Sequence, residues 1–373
     1  MTWKYTPTDQ LTIKTWSADA VRDAEKEMFF APYMMAAPGA DRAFRSPDYN
    51  KGVGIIDVHT QFQSQKGDRV TIPNVGLVTG RGLHNDGLLR DLSNVLPTSG
   101  MDLFFENVAN RLVSEGQLSQ QRIALDFNRE ARYGLARWGT RKVEEAIILA
   151  LAGLTQWDTV TGPTMKCWDT PVNGRQAEST LFLNNVQPFT AATTMYAGDA
   201  TSLADIDSSD RMSAQLLSRI ETRATEELDI PIEPLRIGGE DCYVLMMSGK
   251  SAEDLKLDPE YREAQAGFGK GESPLVKRAF GKFGMIIPVI YPKMPSPVNP
   301  NVSAGAAGNL SRALLLGKSA LQFAKVSPWE FFENDADDAK RRTAISIGSM
   351  MGMTPTLFNG TRRNALAIDH YVR

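Results

Sequence analysis

The sequence predicts an α+β protein, on three observations: a polar two-stranded ribbon between Val58 and Val78, a long amphipathic helix from Gln117 to about Gly153, and short buried strands late in the chain. The ribbon is the most telling of these. Val58, Thr60 and Phe62 alternate with His59, Gln61 and Gln63, Lys66-Gly67-Asp68 makes a turn, and the strand pattern resumes at Val70, Ile72 and Val75. The two runs are expected to pair across that turn. One side of the ribbon, with Gln61, Gln63, Gln65 and Asp68, is too polar for a core. An isolated hairpin is only marginally stable in water. Support is therefore expected from outside the local chain, most simply from a neighbouring copy.

The other elements follow in order. Residues 1–48 combine an amphipathic patch, Ala18 to Phe30, with the stretch APYMMAAPGADRAF, and read as an extended arm carrying one helix. A Gly-rich return, GLVTGRGLHNDGLLRDL, follows the ribbon. In the long helix Ile123, Phe127, Ala131, Leu135 and Trp138 share one face, while Arg122, Asp126, Arg129, Arg132 and Glu144 fall opposite. About 37 residues at about 1.5 Å each would span roughly 55 Å. Gly134 and Gly139 are sites where it could bend. The next stretch, through AGDATSLADIDSSD, has loop character. A second amphipathic helix is expected from Met212 to Glu227, capped by Ser208 or Ser209. Cys242 to Met247 reads as a buried strand, and so does Phe283 to Tyr291, which Pro288 confines to an edge or a bulge. After the loop Pro295–Gly308 the pattern predicts a helix over Arg312–Ala324, then WEFFENDADDAKRRT and a strand over Ala344–Met350.

Charge and composition remove several function classes. Forty-one basic and forty-four acidic residues leave a net charge of −3, against a dedicated nucleic-acid binder. Cys167 and Cys242 form no CxxC pair, so neither a metal knuckle nor a disulfide framework is expected. The start, MTWKYTPTDQ, lacks a signal-peptide pattern, and the apolar run from Ala146 to Leu154 is far short of a membrane span. The expected setting is a cytoplasm, with release by lysis.

Catalytic constellations are sparse. Ser248-Gly249-Lys250-Ser251 and Gly317-Lys318-Ser319 resemble phosphate loops, but Val244 and Arg312 occupy the positions of the required earlier glycine. Gly80-Arg81-Gly82 has Asn85 where a dinucleotide loop needs its third glycine. His59, His84 and His370 are scattered without ligand spacing, so no metal site is expected. Asp335, Asp337 and Asp338 lack a ligand at Ala339 and read as a solvated loop or an inter-subunit contact. No GxSxG elbow is present. The basic groups Lys277-Arg278 with Lys282, Lys340-Arg341-Arg342 and Arg362-Arg363 are expected to be solvated or salt-bridged, with phosphate contact the lesser reading. This pattern points to structure or assembly: not an enzyme, with no catalytic residue and no cofactor.

Four stretches taken together resemble a family. They are Lys66-Gly67-Asp68-Arg69-Val70-Thr71-Ile72-Pro73 with LVTGRGLHNDGLL; Gln120-Gln121-Arg122 leading the long helix to Trp138; PIEPLRIGGEDCYVLMMS with AEDLKLDPEYREAQAG and SPLVKRAFGKFGMIIPVIYP; and SRALLLGKSALQFAK with WEFFENDADDAKRRTAISIGSMMGMTPTLFNG. In that order they resemble tailed-phage major capsid proteins of the Hong Kong 97-type fold, closest to the N-four-like coat protein branch. The resemblance covers roughly residues 50–373 and departs from the pattern at 155–205.

The resemblance implies an N-terminal arm (1–48), an extension loop (49–97), a peripheral domain with a spine helix (98–160), an axial domain (161–335) and a C-terminal return to the peripheral domain (336–373). It implies that the loop tip, Gln65, Lys66, Gly67, Asp68 and Arg69, contacts an adjacent subunit. The implied function is self-assembly into hexamers and pentamers of an icosahedral virion head, in the host cytoplasm, enclosing double-stranded DNA without reading its sequence. The implied partners are further copies, a portal, and scaffolding or cement proteins, with no membrane. Two alternatives remain open from sequence: an encapsulin-like nanocompartment shell, and a nucleotide-dependent enzyme working through Lys250 and Lys318.

Overall fold

The structure, a computed structural model, describes residues 27–36, 54–59, 69–75, 96–114, 127–153, 187–228, 230–237, 239–267, 279–292, 294–295, 310–335 and 343–373, with Val21, Ala24 and Gly67. In chain order come β1 (Met34–Ala36), β2 (Ile56–His59), β3 (Arg69–Val75), β4 (Thr98–Phe104), β5 (Glu106–Val113) and the long helix α1 (Phe127–Ala152). Next are β6 (Thr194–Tyr196), α2 (Ala214–Thr222), β7 (Leu235–Ile237), β8 (Glu240–Met247), α3 (Gly249–Leu257) and α4 (Pro259–Gly267). The rest is strand: β9 (Ile286–Ile290), β10 (Leu310–Leu316), β11 (Leu321–Lys325), β12 (Glu330–Asp335), β13 (Thr343–Pro355), β14 (Leu357–Phe358), β15 (Thr361–Arg362) and β16 (Ala365–Tyr371).

Two six-stranded sheets organise these elements. The first has the order β1-β2-β11-β13-β12, with β5 on the other side of β13; the second has β6-β16-β10-β8-β7, with β9 also on β8. The second sheet explains the near-continuous apolar runs in its strands, because both of its faces are covered. Val244, Met246, Leu314, Leu316, Ala365 and Ala367 face one core with the end of α1 and the first sheet. Their neighbours Tyr243, Leu245, Ala313, Leu315, Leu366 and Ile368 face another core with α2 and α3. Pro288 sits in β9, which has β8 as its ladder partner, in keeping with an edge position.

The first half of α1 is amphipathic, as its spacing predicts. Ala131 and Leu135 meet Ile345 and Ile347 of β13, with Phe127 and Trp138 beside them. From Val143 to Ala152 the helix enters the space between the sheets, and only Glu144 and Leu149 stay even partly open. Gly139 is needed for packing, since a Cβ there would lie 3.1 Å from the Trp329 ring. At the helix C-terminus, where carbonyls lack intrahelical donors, two arginines supply them. Arg362 donates to Ala150 O and Leu151 O at 2.6 and 2.8 Å, and Arg312 donates to Ala152 O at 2.9 Å. Arg312 also grips Asp369 with two bonds, at 2.7 and 2.8 Å. Gly153 ends the helix at φ +68°, where a Cβ would meet Phe189 and Arg362.

Residues 27–36 contribute core as well as chain. Phe30, Tyr33 and Met34 are buried, and Tyr291 meets Phe29 edge-to-face and Phe30 at a tilt, with ring centroids 4.8 and 5.5 Å away. Glu144 of α1 accepts the Phe29 N–H.

Three expectations need correction. The helix expected over Arg312–Ala324 is two strands, β10 and β11, broken by a turn in which Ser319 has φ +55°. Gly317 there packs on Glu233, and a Cβ at that position would lie 2.4 Å from Glu233 O, so the turn needs glycine. The second helix is shorter: Ser213, not Ser208 or Ser209, caps α2 by accepting from Leu216 N, and Arg223–Glu227 continues as a π-helical turn. The ribbon exists, but its strands are β3 and β4. Val58 and His59 belong to β2, held between β1 and β11 in parallel.

Candidate assembly surface

β3 and β4 pair antiparallel from Arg69↔Phe104 to Val75↔Thr98. Their period-2 pattern divides the ribbon into two faces. Val70 and Ile72 stand opposite Leu103 and Met101, and this apolar face rests on Ala324, Phe105 and Val326. Contact is close enough that a Cβ on Gly352 of β13 would stand 2.3 Å from Phe104 O. The far end is tied to the β14–β15 hairpin: Asn74 Nδ2 donates to Leu357 O at 3.1 Å, and Asn359 N donates to Ser99 Oγ at 3.1 Å. The ribbon body therefore rests on its own subunit, contrary to the expectation that nothing local supports it.

The outer face is different. Arg69, Thr71, Pro73 and Val75 of β3 and Thr98, Gly100 and Asp102 of β4 are exposed. Thr71 Oγ1 donates to Asp102 Oδ1 at 2.6 Å, and Arg69 lies 3.5 Å from the other oxygen of Asp102. Of the predicted tip, Arg69 begins β3, and Gly67 is exposed at φ +149°. Gln65, Lys66 and Asp68 lie outside the described residues.

Ribbon coverage of the first sheet stops short. Alternation along β13 places Gly352, Met350, Gly348 and Ser346 on one face, and register adds Phe332 of β12 with Ala109, Arg111 and Val113 of β5. Beyond Gly352 no described element covers this face: Phe332, Val113 and Met350 are 51%, 43% and 38% exposed. The opposite face, with Phe331, Ile345 and Ile347, packs on α1. Sequence reading missed this surface because Phe331-Phe332 reads as one apolar pair. Period 2 was the available signal, since it sends the rings to opposite faces.

The other candidates have structural roles. Ser248 caps α3 by accepting from Ser251 N, and Lys250 is exposed on that helix. Lys318 sits in the turn between β10 and β11, and its N–H donates to Glu233 O at 2.9 Å. His59 bonds Gln322 Oε1 at 2.7 Å. His370 is fully enclosed, with Nε2 2.6 Å from Ser251 Oγ. Burial pushes its pKa down to about 4, so the ring is neutral at pH 7. Arg362 and Arg363 are buried, so neither is solvated; Arg363 lies 3.5 Å from Glu233, the salt-bridged alternative. Burial, then the nearby Arg312 cation, pushes the Arg362 pKa down to about 9, and it stays charged at neutral pH. Cys242 is a free, buried thiol raised by burial. Among the described residues no three His, Cys, Asp or Glu side chains group to hold a metal, and no helix is long and apolar enough to cross a membrane. His84, Cys167, Asp337, Asp338 and the groups at 277–278 and 340–342 lie outside the described residues.

The surface thus offers apolar and hydrogen-bonding contact on a sheet face and a ribbon, the chemistry of protein–protein association. Comparison with known proteins agrees. Residues 4–371 match the family model described as phage capsid protein. The major capsid protein of Pseudomonas phage KPP25 is 24% identical over 303 residues, covering 79% of this chain and 80% of that protein. The capsid of Ralstonia phage GP4 superposes with a TM-score of 0.72 at 20% identity, covering 93% of this chain and 92% of that chain. The cyanophage Pam1 capsid gives a TM-score of 0.67 at 15% identity over 92% of both chains. The two-sheet fold with its long helix and ribbon is the Hong Kong 97-type capsid fold. On this evidence the chain belongs to the phage capsid protein family, a major capsid protein and structural component of the virion shell.

Proposed function

We propose that this chain works by assembly rather than turnover, closing first into hexamers and pentamers and then into an icosahedral head around double-stranded DNA. The carrying observation is a ribbon whose inner face is satisfied by its own subunit while its outer face and the adjoining sheet face stay open. Heterologous contacts close into rings when the rotation permits, and obligate interfaces commonly exceed about 2,000 Å². Many weak contacts then act cooperatively over the shell. In this reading residues 49–97 with β4 form the extension loop, and residues 1–48 precede it as the arm. The first sheet and α1 are the peripheral domain. Most of 161–335 is the axial domain, and the chain after it passes through the first sheet as β13 before ending in the second as β16. The portal, and scaffolding or cement proteins, would meet the assembled rings. Within the family, the four matching stretches favour the N-four-like branch.

The tip, Gln65 to Arg69, is assigned to contact with a neighbouring copy. Replacing residues 64–68 with a short Gly-Ser link leaves β3 intact from Arg69. The variant subunit should keep the parent's circular dichroism and melting temperature yet fail to give megadalton particles by light scattering. Shells of normal size and yield from that variant, seen by negative-stain microscopy, would remove the tip from the interface.

A further inference from the structure

Charge on this chain is balanced overall but not locally. Residues 129–141 hold Arg129, Arg132, Arg137 and Arg141 against Glu130 alone, a local net charge of +3 in a chain of net −3. They lie on α1, whose other side packs on β13. Arg129, Tyr133, Arg137 and Arg141 follow one another at steps of four, so they form a stripe along the helix. Successive members are about 6 Å apart along the axis, from about 1.5 Å per residue. All four are exposed, Tyr133 by 48%. Arg137 comes within 3.8 Å of Glu27, with both side chains largely in solvent, a pairing that costs little to exchange. Glu130 is the other exposed charge on this stretch. α3, by contrast, alternates Lys250, Glu253 and Lys256, and α4 adds Glu260 and Glu263 beside Arg262.

We propose that this exposed face of α1 is a docking surface for the phosphate backbone of duplex DNA. Guanidinium groups suit phosphate oxygens because their donors form a planar fork, and a tyrosine hydroxyl between them donates one more bond. Duplex DNA presents a charge about every 1.7 Å of its axis, so a stripe of this pitch meets phosphates without needing base contacts. Each subunit contributes few charges, so each contact is weak and salt-sensitive. Repeated over a closed shell such contacts align packed DNA without immobilising it. The inference rests on the shell-building reading for the source of the DNA; the surface itself is tested separately.

The test uses the full chain, kept below its assembly concentration, and a short mixed-sequence duplex, with binding followed by fluorescence anisotropy between about 50 and 200 mM salt. The variant R129Q/R137Q/R141Q should bind at least tenfold more weakly, and its log–log salt slope should shrink by about 3, near 0.9 per phosphate contact. R129Q/R137Q, which leaves Arg141 in place, should lose about two-thirds of that slope. The control K250Q/K256Q/R262Q removes equal charge from α3 and α4 and should retain the parent slope. Equal loss in the control, or unchanged binding by the triple variant, overturns the proposal. So does a triple variant that loses only binding to a polyglutamate peptide, which would assign the stripe to an acidic protein segment. Light scattering of all variants at assembly concentration is a separate readout: normal shells are expected from each, and failure of the parent to form shells would count against the shell reading alone.

Discussion

His370 is an ionisable side chain fully enclosed by the fold. Its Nδ1 lies 3.3 Å from Ile368 O and its Nε2 2.6 Å from Ser251 Oγ, so the neutral ring donates through Nδ1 and accepts from the serine. Ser251 in turn reaches the Ser248 and Ser311 hydroxyls at 2.7 and 3.4 Å, a network with no formal charge. The neighbouring carboxylate, Asp369, is committed to Arg312. A proton on His370 would thus be buried without a free counter-charge. Burial holds its folded pKa near 4, below the ordinary 6.5. The unfolded chain therefore takes up the proton first, and stability present above pH 6.5 is lost as pH falls toward 4. At pH 4.5 the loss from this residue is on the order of 2–3 kcal/mol, at about 1.36 kcal/mol per unit. Urea unfolding of H370Q at pH 7 and pH 4.5 should show that much less acid destabilisation than the parent. An equal drop in both chains would mean that His370 does not govern the acid limb.

At the scale of elements, the end of α1 decides how the helix is held between the sheets. Arg362 brings donors to Ala150 O, Leu151 O and Gln187 O, and its guanidinium lies 4.2 Å from the Phe189 ring centroid. The negative end of the helix dipole favours a cation there. R362M leaves these carbonyls unpaired in a dry site and should cost about 3 kcal/mol or more, read as a lower urea midpoint. R362K keeps the charge but not the fork, and should recover part of it. Full stability in R362M would show that water replaces the guanidinium. Little of this clamp is legible in the sequence, where Arg362-Arg363 is simply a basic pair. Legibility tracks how local each cause is. The stripe Ala131–Leu135–Trp138 and the β8 run are readable because burial repeats at the element's own period. The ribbon's true strands are hidden because β2 finds its partners at β1 and β11, the latter some 260 residues away, while β3 waits for β4. Turn chemistry at Lys66-Gly67-Asp68 carries no information about either. The Arg312–Ala324 run misleads for another reason: a short apolar stretch fits either period, and pairing with distant strands, β10 with β16 and β8 and β11 with β13 and β2, settles it as strand.

For the whole molecule the question is which force closes the shell. Forty-one positive and forty-four negative residues nearly cancel, so long-range repulsion between subunits is small. The open surface is apolar where the ribbon leaves off, at Phe332, Met350 and Val113, while the ion pair seen on the ribbon, Arg69 with Asp102, is internal to the subunit and solvent-exposed. Exposed pairs contribute about 0–1 kcal/mol, whereas removing one large apolar side chain from water contributes about 1.5–3 kcal/mol. If this face is the one buried between subunits, apolar burial is expected to outweigh charge pairing in assembly. Such burial is driven by entropy near room temperature and weakens on cooling. The threshold concentration for shell formation should accordingly fall on warming from about 5 to 25 °C, and change little when salt screens charges to about 3 Å at 1 M. Phe332→Ser should raise that threshold several-fold while leaving subunit stability within about 0.5 kcal/mol, as for other exposed positions. Light scattering across a dilution series measures the threshold, and urea unfolding of the dilute subunit measures the stability. A threshold that climbs steeply with salt and ignores both temperature and Phe332 would instead make ion pairs between subunits the force that holds the shell together.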